Sequence, residues 1–463
     1  MTLKNSHISN NINHFHLFFQ GLEKYKYIIL VIGFFVWLLC PIGGVIPLLL
    51  FSQVQVSSNL KHSNQKNWSS KKLGIVCIFI VLITITVNAS TYVVFSDLET
   101  YVGVFEGLNK ENFFSYMNSI GMEPLTFLIP SFAHSLIGDH EKVFLLTQSL
   151  TMNSMFTLFT LWFSPNYYPT VILLNITSMS YFWQLFLMRQ FYSFIFVIPL
   201  VYVSGIIPRL TLLFLALRTH SSAIVYALPV MSLQLAHWLE PIKHPPVSFT
   251  YPRKRIGFQF KTQKILSSII IRFETFLRSK LFILIFASLL ILVIPFVLEN
   301  NILLGITPEL DSRLTRFASN ESSLSVHPLP VLKSVLFDLL FLSVFFIKID
   351  YRKANSICRS WTMLFLVCLF SLIGLFFKID ILVRVVLLLR ALPGFFYSII
   401  FESLNTNRSQ IFVSTVLLLL LGVKISYFYY RLILGSLNYG DRLWDGAPLG
   451  ANILDYLSFV LSP

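Results

Sequence analysis

Arg189 is the residue of this chain whose position most strongly indicates chemistry. Together with Gln190 it lies between two uncharged apolar stretches, 171–188 and 191–203. A guanidinium inside a membrane costs several kcal/mol unless a partner offsets that cost, so such residues mark candidate functional sites. The planar guanidinium binds phosphate through two parallel hydrogen bonds, which predicts an anionic ligand. The alternative is a structural arginine that reaches the interface or is neutralised by a buried acid.

Two further arginines, Arg384 and Arg390, lie in the otherwise apolar stretch 381–392. Residues six positions apart do not share a helical face, so only one of the two need face the same site as Arg189. Asp380 precedes Arg384 by one helical turn and could simply pair with it. A second cation on a distant helix is nevertheless what binding two phosphates requires. We therefore assign substrate binding to Arg384 and Arg390, with Gln190 beside the first arginine.

Glu123 is the first candidate for a general base. It directly precedes Pro124, a residue favoured in the first turn of a helix, and the apolar residues that follow predict a short helix over 122–137. The carboxylate could serve only the helix dipole, or it could accept a proton from a substrate hydroxyl. Asp97 and Tyr101 lie one helical turn apart and are placed to orient a sugar or the Glu123 segment.

His220 is the second candidate base or a positioning group. A histidine in an apolar setting is more often a hydrogen-bonded core residue than a catalyst. A helix break predicted near 218–221 gives the core and the catalytic interpretations of His220 about equal weight. Glu123, His220 and Arg189 are therefore the predicted catalytic residues, and Arg384, Arg390, Gln190, Asp97 and Tyr101 the predicted substrate-binding residues.

No glycine-rich phosphate loop, dinucleotide fingerprint or HExxH zinc motif occurs in the sequence. The segment 134–141 contains His134, Asp139, His140 and Glu141, but their spacing fits no usual metal site, so an ordinary solvated loop is expected. The 4 cysteines form no CxxC pair and are interpreted as small apolar residues. We expect neither a metal nor another cofactor.

The elements that must position these residues are membrane helices. Of 463 residues, 55% are hydrophobic and 12% are charged, with a mean hydropathy of +0.73. Soluble domains carry about twice that charged fraction. The net charge of +14 is concentrated in 51–72, 243–280 and 349–359. Such clusters mark cytoplasmic loops that contact anionic lipid, so nucleic-acid binding is not expected.

The sequence predicts an all-α, polytopic integral membrane protein with about ten full transmembrane helices plus broken or re-entrant elements. The candidate spans are 27–50, 73–95, 143–163, 167–188, 190–207, 281–298, 331–348, 360–377, 381–400 and 411–435. With 51–72 in the cytoplasm, residues 1–26, 96–142, 299–330 and 436–463 lie outside. Lys24 and Lys26 are then a mild violation of the positive-inside rule.

A single crossing by 209–236 would place the basic stretch 243–280 outside, so we predict a re-entrant or broken element there with His220 near its tip. An additional crossing within 256–277 is the less favoured alternative because that segment is charged. The domain prediction is an N-terminal tail (1–26), an N-terminal transmembrane bundle (27–236) with an outer loop (96–142), a basic cytoplasmic linker (237–280), a C-terminal transmembrane bundle (281–435) and a C-terminal tail (436–463).

The order of five short motifs resembles that of the EpsG-type branch of the Wzy polysaccharide polymerases. The motifs are Ser96 to Tyr101, Glu123 to Leu125, Arg189 to Gln190, His220 to Ala223, and Arg384. The resemblance covers roughly residues 27–435. Phe191 and Tyr192 stand where a small residue is usual after the Arg-Gln pair, and the linker 237–280 is long.

The resemblance implies a metal-independent glycosyltransferase, of GT-C-like architecture, at the periplasmic face of the bacterial inner membrane. It would move a growing glycan from undecaprenyl diphosphate onto the next lipid-linked repeat unit, with Arg189 and Arg384 at the diphosphate. The implied partners are the undecaprenyl-diphosphate-linked oligosaccharide and membrane lipid, with a Wzz-like chain-length regulator as a further candidate and no nucleic acid.

Two alternatives stay open at this point. An O-antigen ligase would use the same lipid-linked donor and similar arginines, and would differ in its acceptor. A lipid-linked oligosaccharide flippase or another transporter would favour a central polar cavity and two similar halves, and the sequence contains no such symmetry.

Overall fold

A computed structural model of the chain describes residues 14–61, 68–91, 97–109, 112–177, 188–203, 205–220, 356–371 and 407–437, with isolated residues within 223–231, 338–342, 394–397 and 452–458. Every regular element in these ranges is a helix, which confirms the all-α expectation for the described residues. The α-helices are α1 (His14–Gly21), α2 (Lys26–Leu39), α3 (Pro41–Lys61), α4 (Trp68–Ser90), α5 (Asp97–Glu106), α6 (Phe113–Ser119), α7 (Pro124–Ile137), α8 (Glu141–Phe163), α9 (Tyr168–Ile176), α10 (Met188–Tyr202), α11 (Ile206–Thr219), α12 (Ser356–Ser371) and α13 (Asn407–Leu437).

The chain forms two compact units. The described residues of the first lie within Met1–Ile195, Arg218–His220 and Arg390–Pro463, and those of the second within Phe196–Leu217 and Ser221–Leu389. In the second unit, the buried Trp361 of α12 donates its indole N–H to the Tyr202 hydroxyl at 3.3 Å. The domain boundaries given from the sequence stay predictions.

The prediction of one continuous span over 27–50 is wrong. α2 ends at Leu39, Cys40 has extended backbone (φ −149°, ψ 86°), and α3 begins at Pro41. Proline disfavours helical backbone at the residue before it, which explains the break at Cys40. The residues next to the break are uncharged and mostly apolar on both sides, so an apolar run alone could not locate it.

The two helices on either side of Cys40 run antiparallel and lie close together. Gly33 of α2 faces Pro47 of α3, and Gly44 of α3 faces the Trp37 backbone so closely that no side chain fits there. Trp37 also donates its indole N–H to the Thr84 hydroxyl of α4 at 2.9 Å. These contacts make α2, α3 and α4 one packed layer.

Two described helices are long and apolar enough to cross a membrane, judged by length and composition. They are Pro41–Ser58, with 18 residues and a mean hydropathy of 1.2, and Lys72–Ser90, with 19 residues and 2.4. Shorter apolar helices are Pro124–Ile137, Phe191–Tyr202 and Thr415–Tyr430. Helices also cover the predicted spans 143–163 and 411–435, while 281–298 and most of 331–348 and 381–400 lie outside the described residues.

The predicted span 190–207 extends beyond its helix. α10 ends at Tyr202, and a new helix, α11, begins at Ile206 with Pro208 in its first turn. Proline is tolerated there because the first helical N–H groups have no partner within the helix. α11 ends at Thr219, and His220 has no helical assignment, which confirms a helix end at the predicted break. A re-entrant path stays a prediction.

Polar side chains point inward and large apolar ones outward in several helices of the first unit. Buried polar residues include Gln53 and Gln55 of α3, Asn88 of α4, and Gln148 and Asn153 of α8. Exposed apolar residues occur on the same or neighbouring helices: Tyr27, Ile28, Val31, Phe35 and Leu39 on α2, Ile75 and Phe79 on α4, Phe132 and Leu136 on α7, and Leu158 and Trp162 on α8. The buried polar side chains lie among buried apolar ones, such as Phe51 of α3 and Phe144 of α8.

Candidate active site

Glu123 lies at the residue immediately before α7, with Pro124 as the first helical residue, as the sequence predicts. Its side chain does not cap the helix. Instead, one carboxylate oxygen lies 3.0 Å from Arg189 Nη1 and the other 3.7 Å from His220 Nδ1. The Glu123 side chain is only 12% exposed. Its two oxygens therefore join a cation on one side to a histidine on the other.

Arg189 belongs to α10 and is held by two neighbouring segments. Nη1 donates to Glu123 Oε2 at 3.0 Å and Nε donates to the Tyr101 hydroxyl at 3.2 Å. The Met122 sulfur lies 4.0 Å from Nη1. The side chain is 25% exposed, and in the described part of the chain no hydrogen-bond acceptor meets Nη2. Arginine keeps its proton in proteins, so the Nη2 group remains a hydrogen-bond donor.

Tyr101 fixes one edge of the guanidinium. It lies on α5, is 3% exposed, and its ring is 5.7 Å from the Arg189 Cζ. Behind it, Phe127 of α7 contacts the Tyr101 ring edge-on and stacks on Phe144 of α8, with ring centroids 6.2 and 6.1 Å apart. This aromatic packing holds α5, α7 and α8 together beneath the polar cluster, because ring contacts of this geometry are favourable.

His220 reaches the cluster from the end of α11. It is 3% exposed, and its Nδ1 approaches Glu123 Oε1 to 3.7 Å, which is longer than a hydrogen bond. The neighbouring Thr219 carbonyl accepts a bond from the Thr126 hydroxyl at 3.5 Å. The end of α11 is thereby attached to the first turn of α7.

The four side chains form a sequence of contacts: Tyr101, Arg189, Glu123 and His220. Glu123 neutralises Arg189, so with a neutral imidazole the cluster carries no net charge. It can donate hydrogen bonds to an anion from Arg189 and can accept a proton at Glu123 or His220. Binding of a doubly charged group would need a further cation.

The structure thus brings together four of the eight residues predicted from the sequence, contributed by four separate segments. Asp97 lies one turn before Tyr101 in α5, and Gln190 follows Arg189 in α10, but the description of both is limited to the backbone. Arg384 and Arg390 lie outside the described residues. Their predicted substrate-binding roles stay predictions.

The histidines of the segment 134–141 have separate structural surroundings. His134 is buried in α7, where its ring meets Phe105 edge-on with centroids 5.0 Å apart. His140 caps α8, and its Nδ1 accepts a hydrogen bond from the Lys142 backbone at 3.1 Å. Across the described ranges, no three His, Cys, Asp or Glu side chains are arranged to hold a metal ion.

Two residues beside the cluster were not predicted from the sequence. Thr126 is fully buried in the first turn of α7, and Gln148 is fully buried in α8. Gln148 Nε2 donates to the Thr126 carbonyl at 3.3 Å. The sequence does contain an indication of Gln148: its amide occurs in an apolar helix, where a buried polar side chain needs a hydrogen-bond partner. Thr126 gave no comparable signal.

In comparisons with known proteins, no family model, curated protein or solved structure matches this chain.

Proposed function

We propose that this protein is a polysaccharide polymerase of the bacterial inner membrane. It would join undecaprenyl-diphosphate-linked repeat units of O-antigen, capsule or exopolysaccharide at the periplasmic face. The observation that carries the proposal is the meeting of Arg189, Glu123 and His220 in one buried cluster. The resemblance to the EpsG-type Wzy polymerases rests on motifs that include these same residues, so the cluster and the motif order support one interpretation.

A multi-pass membrane location is part of the proposal. The two long apolar helices support membrane association, and the outward apolar side chains on α2, α4, α7 and α8 support it further. A large exposed apolar surface is unstable in water but stable against lipid. About ten spans, with outer loops that include 96–142, follow from the hydropathy of the whole sequence.

The proposed reaction is a glycosyl transfer without a metal. The acceptor hydroxyl oxygen bonds to the anomeric carbon of the donor glycan as the bond from that carbon to the diphosphate breaks. The hydroxyl proton moves to Glu123, or to His220 beside it, and the diphosphate leaves with the bonding electrons. Arg189 donates to the departing phosphate through the Nη2 amine, where negative charge increases during the reaction.

Arg384 supplies the further positive charge in this proposal. Glu123 already neutralises Arg189, and a diphosphate carries more charge than one compensated guanidinium can balance. Gln190, Asp97 and Arg390 are proposed contacts to the lipid-linked oligosaccharide. Tyr101, predicted from the sequence to bind substrate, is 3% exposed and instead would act by holding Arg189. A Wzz-like regulator of chain length is a proposed partner.

The test compares surface glycans in a bacterial strain deleted for the gene and complemented with variants. The Arg189→Lys variant keeps the charge but loses the planar fork, so we expect short or single-repeat glycan on gels. Arg209→Lys is the matched control, because the Arg209 Nε donates only to the Val203 carbonyl in the described part of the chain, at 2.8 Å.

The pattern of products decides between the functions. Loss of long chains with single-repeat products retained supports a polymerase. Loss of all surface glycan would indicate a flippase, and accumulation of unattached polymer would indicate a ligase. Normal long polymer from the Arg189→Lys strain would exclude the diphosphate role of Arg189.

A further inference from the structure

Thr126 connects the two segments that carry Glu123 and His220. Its backbone N–H donates to the Glu123 carbonyl at 3.3 Å, and its hydroxyl donates to the Thr219 carbonyl at 3.5 Å. Thr219 is the residue immediately before His220, and Thr126 is 0% exposed. A single buried residue therefore joins the beginning of α7 to the end of α11.

Gln148 makes a third hydrogen-bond contact to Thr126. Its Nε2 donates to the Thr126 carbonyl at 3.3 Å, so the N–H, the carbonyl and the hydroxyl of Thr126 all have partners. Gln148 is 0% exposed, and its Oε1 meets no hydrogen-bond donor in the described part of the chain. A buried amide that is only half satisfied lowers stability relative to an apolar side chain. The bond to Thr126 is what connects this buried amide to the first turn of α7.

Both contacts between the end of α11 and the beginning of α7 are longer than usual hydrogen bonds. His220 Nδ1 is 3.7 Å from Glu123 Oε1, and the Thr126 hydroxyl is 3.5 Å from the Thr219 carbonyl. Hydrogen bonds of these types usually measure about 2.7–3.2 Å. A movement of less than about 1 Å of the α11 end towards α7 would shorten both contacts. Hydrogen bonds in an active site without substrate are often long and shorten when substrate binds.

We propose that Thr126, held by Gln148, is a positioning residue that sets the separation between Glu123 and His220. In the glycosyl transfer proposed above, on which this functional consequence rests, the two side chains receive the proton of the acceptor hydroxyl. Thr126 keeps them close enough to share that proton. Neither Thr126 nor Gln148 touches the substrate in this assignment.

The first experiment measures position without relying on function. The purified full-length protein, in detergent, is labelled with diethyl pyrocarbonate, and the modification rate of each histidine is read by mass spectrometry. We expect His220 to react about three- to tenfold faster in Thr126→Val and Gln148→Leu, because one hydrogen bond that closes the junction is lost. Thr126→Ser, which retains the hydroxyl, should restore slow labelling.

Two controls separate a local effect from unfolding. Thr160 is equally buried, but among the described residues its hydroxyl bonds only the Phe156 carbonyl of its own helix, at 2.8 Å. Thr160→Val should therefore leave His220 unchanged. His134 is 3% exposed and should stay protected in every folded variant. Equal His220 rates in the native protein, Thr126→Val and Gln148→Leu, with His134 protected, would overturn the proposal.

The second experiment tests the functional consequence in the complemented strains. We expect Thr126→Val and Gln148→Leu to lower the amount of long glycan about three- to tenfold, with Thr126→Ser close to normal. If labelling changes as expected but Arg189→Lys leaves the glycan normal, the positioning role stands and the proposed function fails. If labelling is unchanged while Arg189→Lys removes long glycan, the positioning role fails and the proposed function stands.

Discussion

Glu123 Oε2 lies 3.0 Å from Arg189 Nη1, although the two residues are 66 positions apart in the sequence. Each of the two charges is mostly buried, at 12% and 25% exposure. A buried charge is tolerated when an opposite charge and hydrogen bonds accompany it. The pair therefore explains how the chain accommodates an arginine in an apolar helix.

The first prediction concerns this pair. Glu123→Gln and Arg189→Met should each destabilise the protein by about 1–3 kcal/mol, since each leaves an uncompensated charge in a partly buried site. The double variant should recover part of that loss. Thermal unfolding of the three purified variants in one detergent measures the coupling. Additive losses in the double variant would contradict the pair as an energetic unit.

Tyr101→Phe tests the second contact of the guanidinium. It removes the hydroxyl that accepts from Arg189 Nε and keeps the ring against Phe127. We expect a stability loss of about 0.5–1.5 kcal/mol, the usual value for one hydrogen bond. Tyr116→Phe, on α6, is the comparison variant. If unfolding temperatures of the two variants fall equally, the Tyr101 contact has no special contribution.

Phe127→Ala tests the aromatic packing beneath the cluster. Phe127 is 0% exposed and contacts the rings of both Tyr101 and Phe144. Removing a buried ring leaves a cavity and should cost about 3–5 kcal/mol. Phe132→Ala, on the same helix but 67% exposed, should be nearly neutral in the same unfolding assay. A small loss for Phe127→Ala would show that α5 and α7 are held by other contacts.

Gly44→Ala tests the close approach of α2 and α3. An added Cβ would collide with the Trp37 backbone, which cannot move without separating the helices. We expect a loss of about 1–3 kcal/mol, in the range of overpacked sites. Gly422→Ala on α13 is the matched control, because in the described part of the chain no atom beyond its own helical turns lies within 4 Å of its added Cβ. There, alanine should stabilise slightly, by up to about 1 kcal/mol.

For the membrane location proposed above, the reversal at Cys40 also predicts on which side of the membrane Lys24 and Lys26 lie. Antiparallel α2 and α3 place Lys24 and Lys26 at the same end as Lys61, whereas a single span would place them on opposite sides. We expect single cysteines at Lys24 and Lys61 to react with an impermeant thiol reagent from the same side. Labelling of the two from opposite sides would contradict the antiparallel arrangement of α2 and α3. The predicted cytoplasmic end would also remove the violation of the positive-inside rule at Lys24 and Lys26.

The sequence predicts those site residues that differ in type from their neighbours along the chain. Arg189 stood out as a charge among apolar residues, and Glu123 stood out because Pro124 marks the beginning of a helix. The predicted helix break near His220 was found because charges on neighbouring loops required it. Each of these signals is local, so one sequence was enough to detect it.

The contacts between these residues could not be predicted in the same way. The bond between Arg189 and Tyr101 joins residues 88 positions apart, and the one between Thr126 and Thr219 joins residues 93 apart. Such pairings depend on how helices pack, which hydropathy does not encode. A threonine near a helix start is common, so Thr126 does not stand out in the sequence. Pro41 follows Cys40, but the uncharged apolar residues on both sides favour one span over 27–50.

The exposed apolar residues of α2, α4 and α8 have a consequence for how the protein can be recovered after denaturation. These side chains include Phe35, Phe79 and Trp162, and in buffer the exposed groups of different molecules would associate. Dilution of denaturant into buffer alone should therefore give aggregates. Recovery should require micelles or lipid, because these cover the exposed apolar side chains.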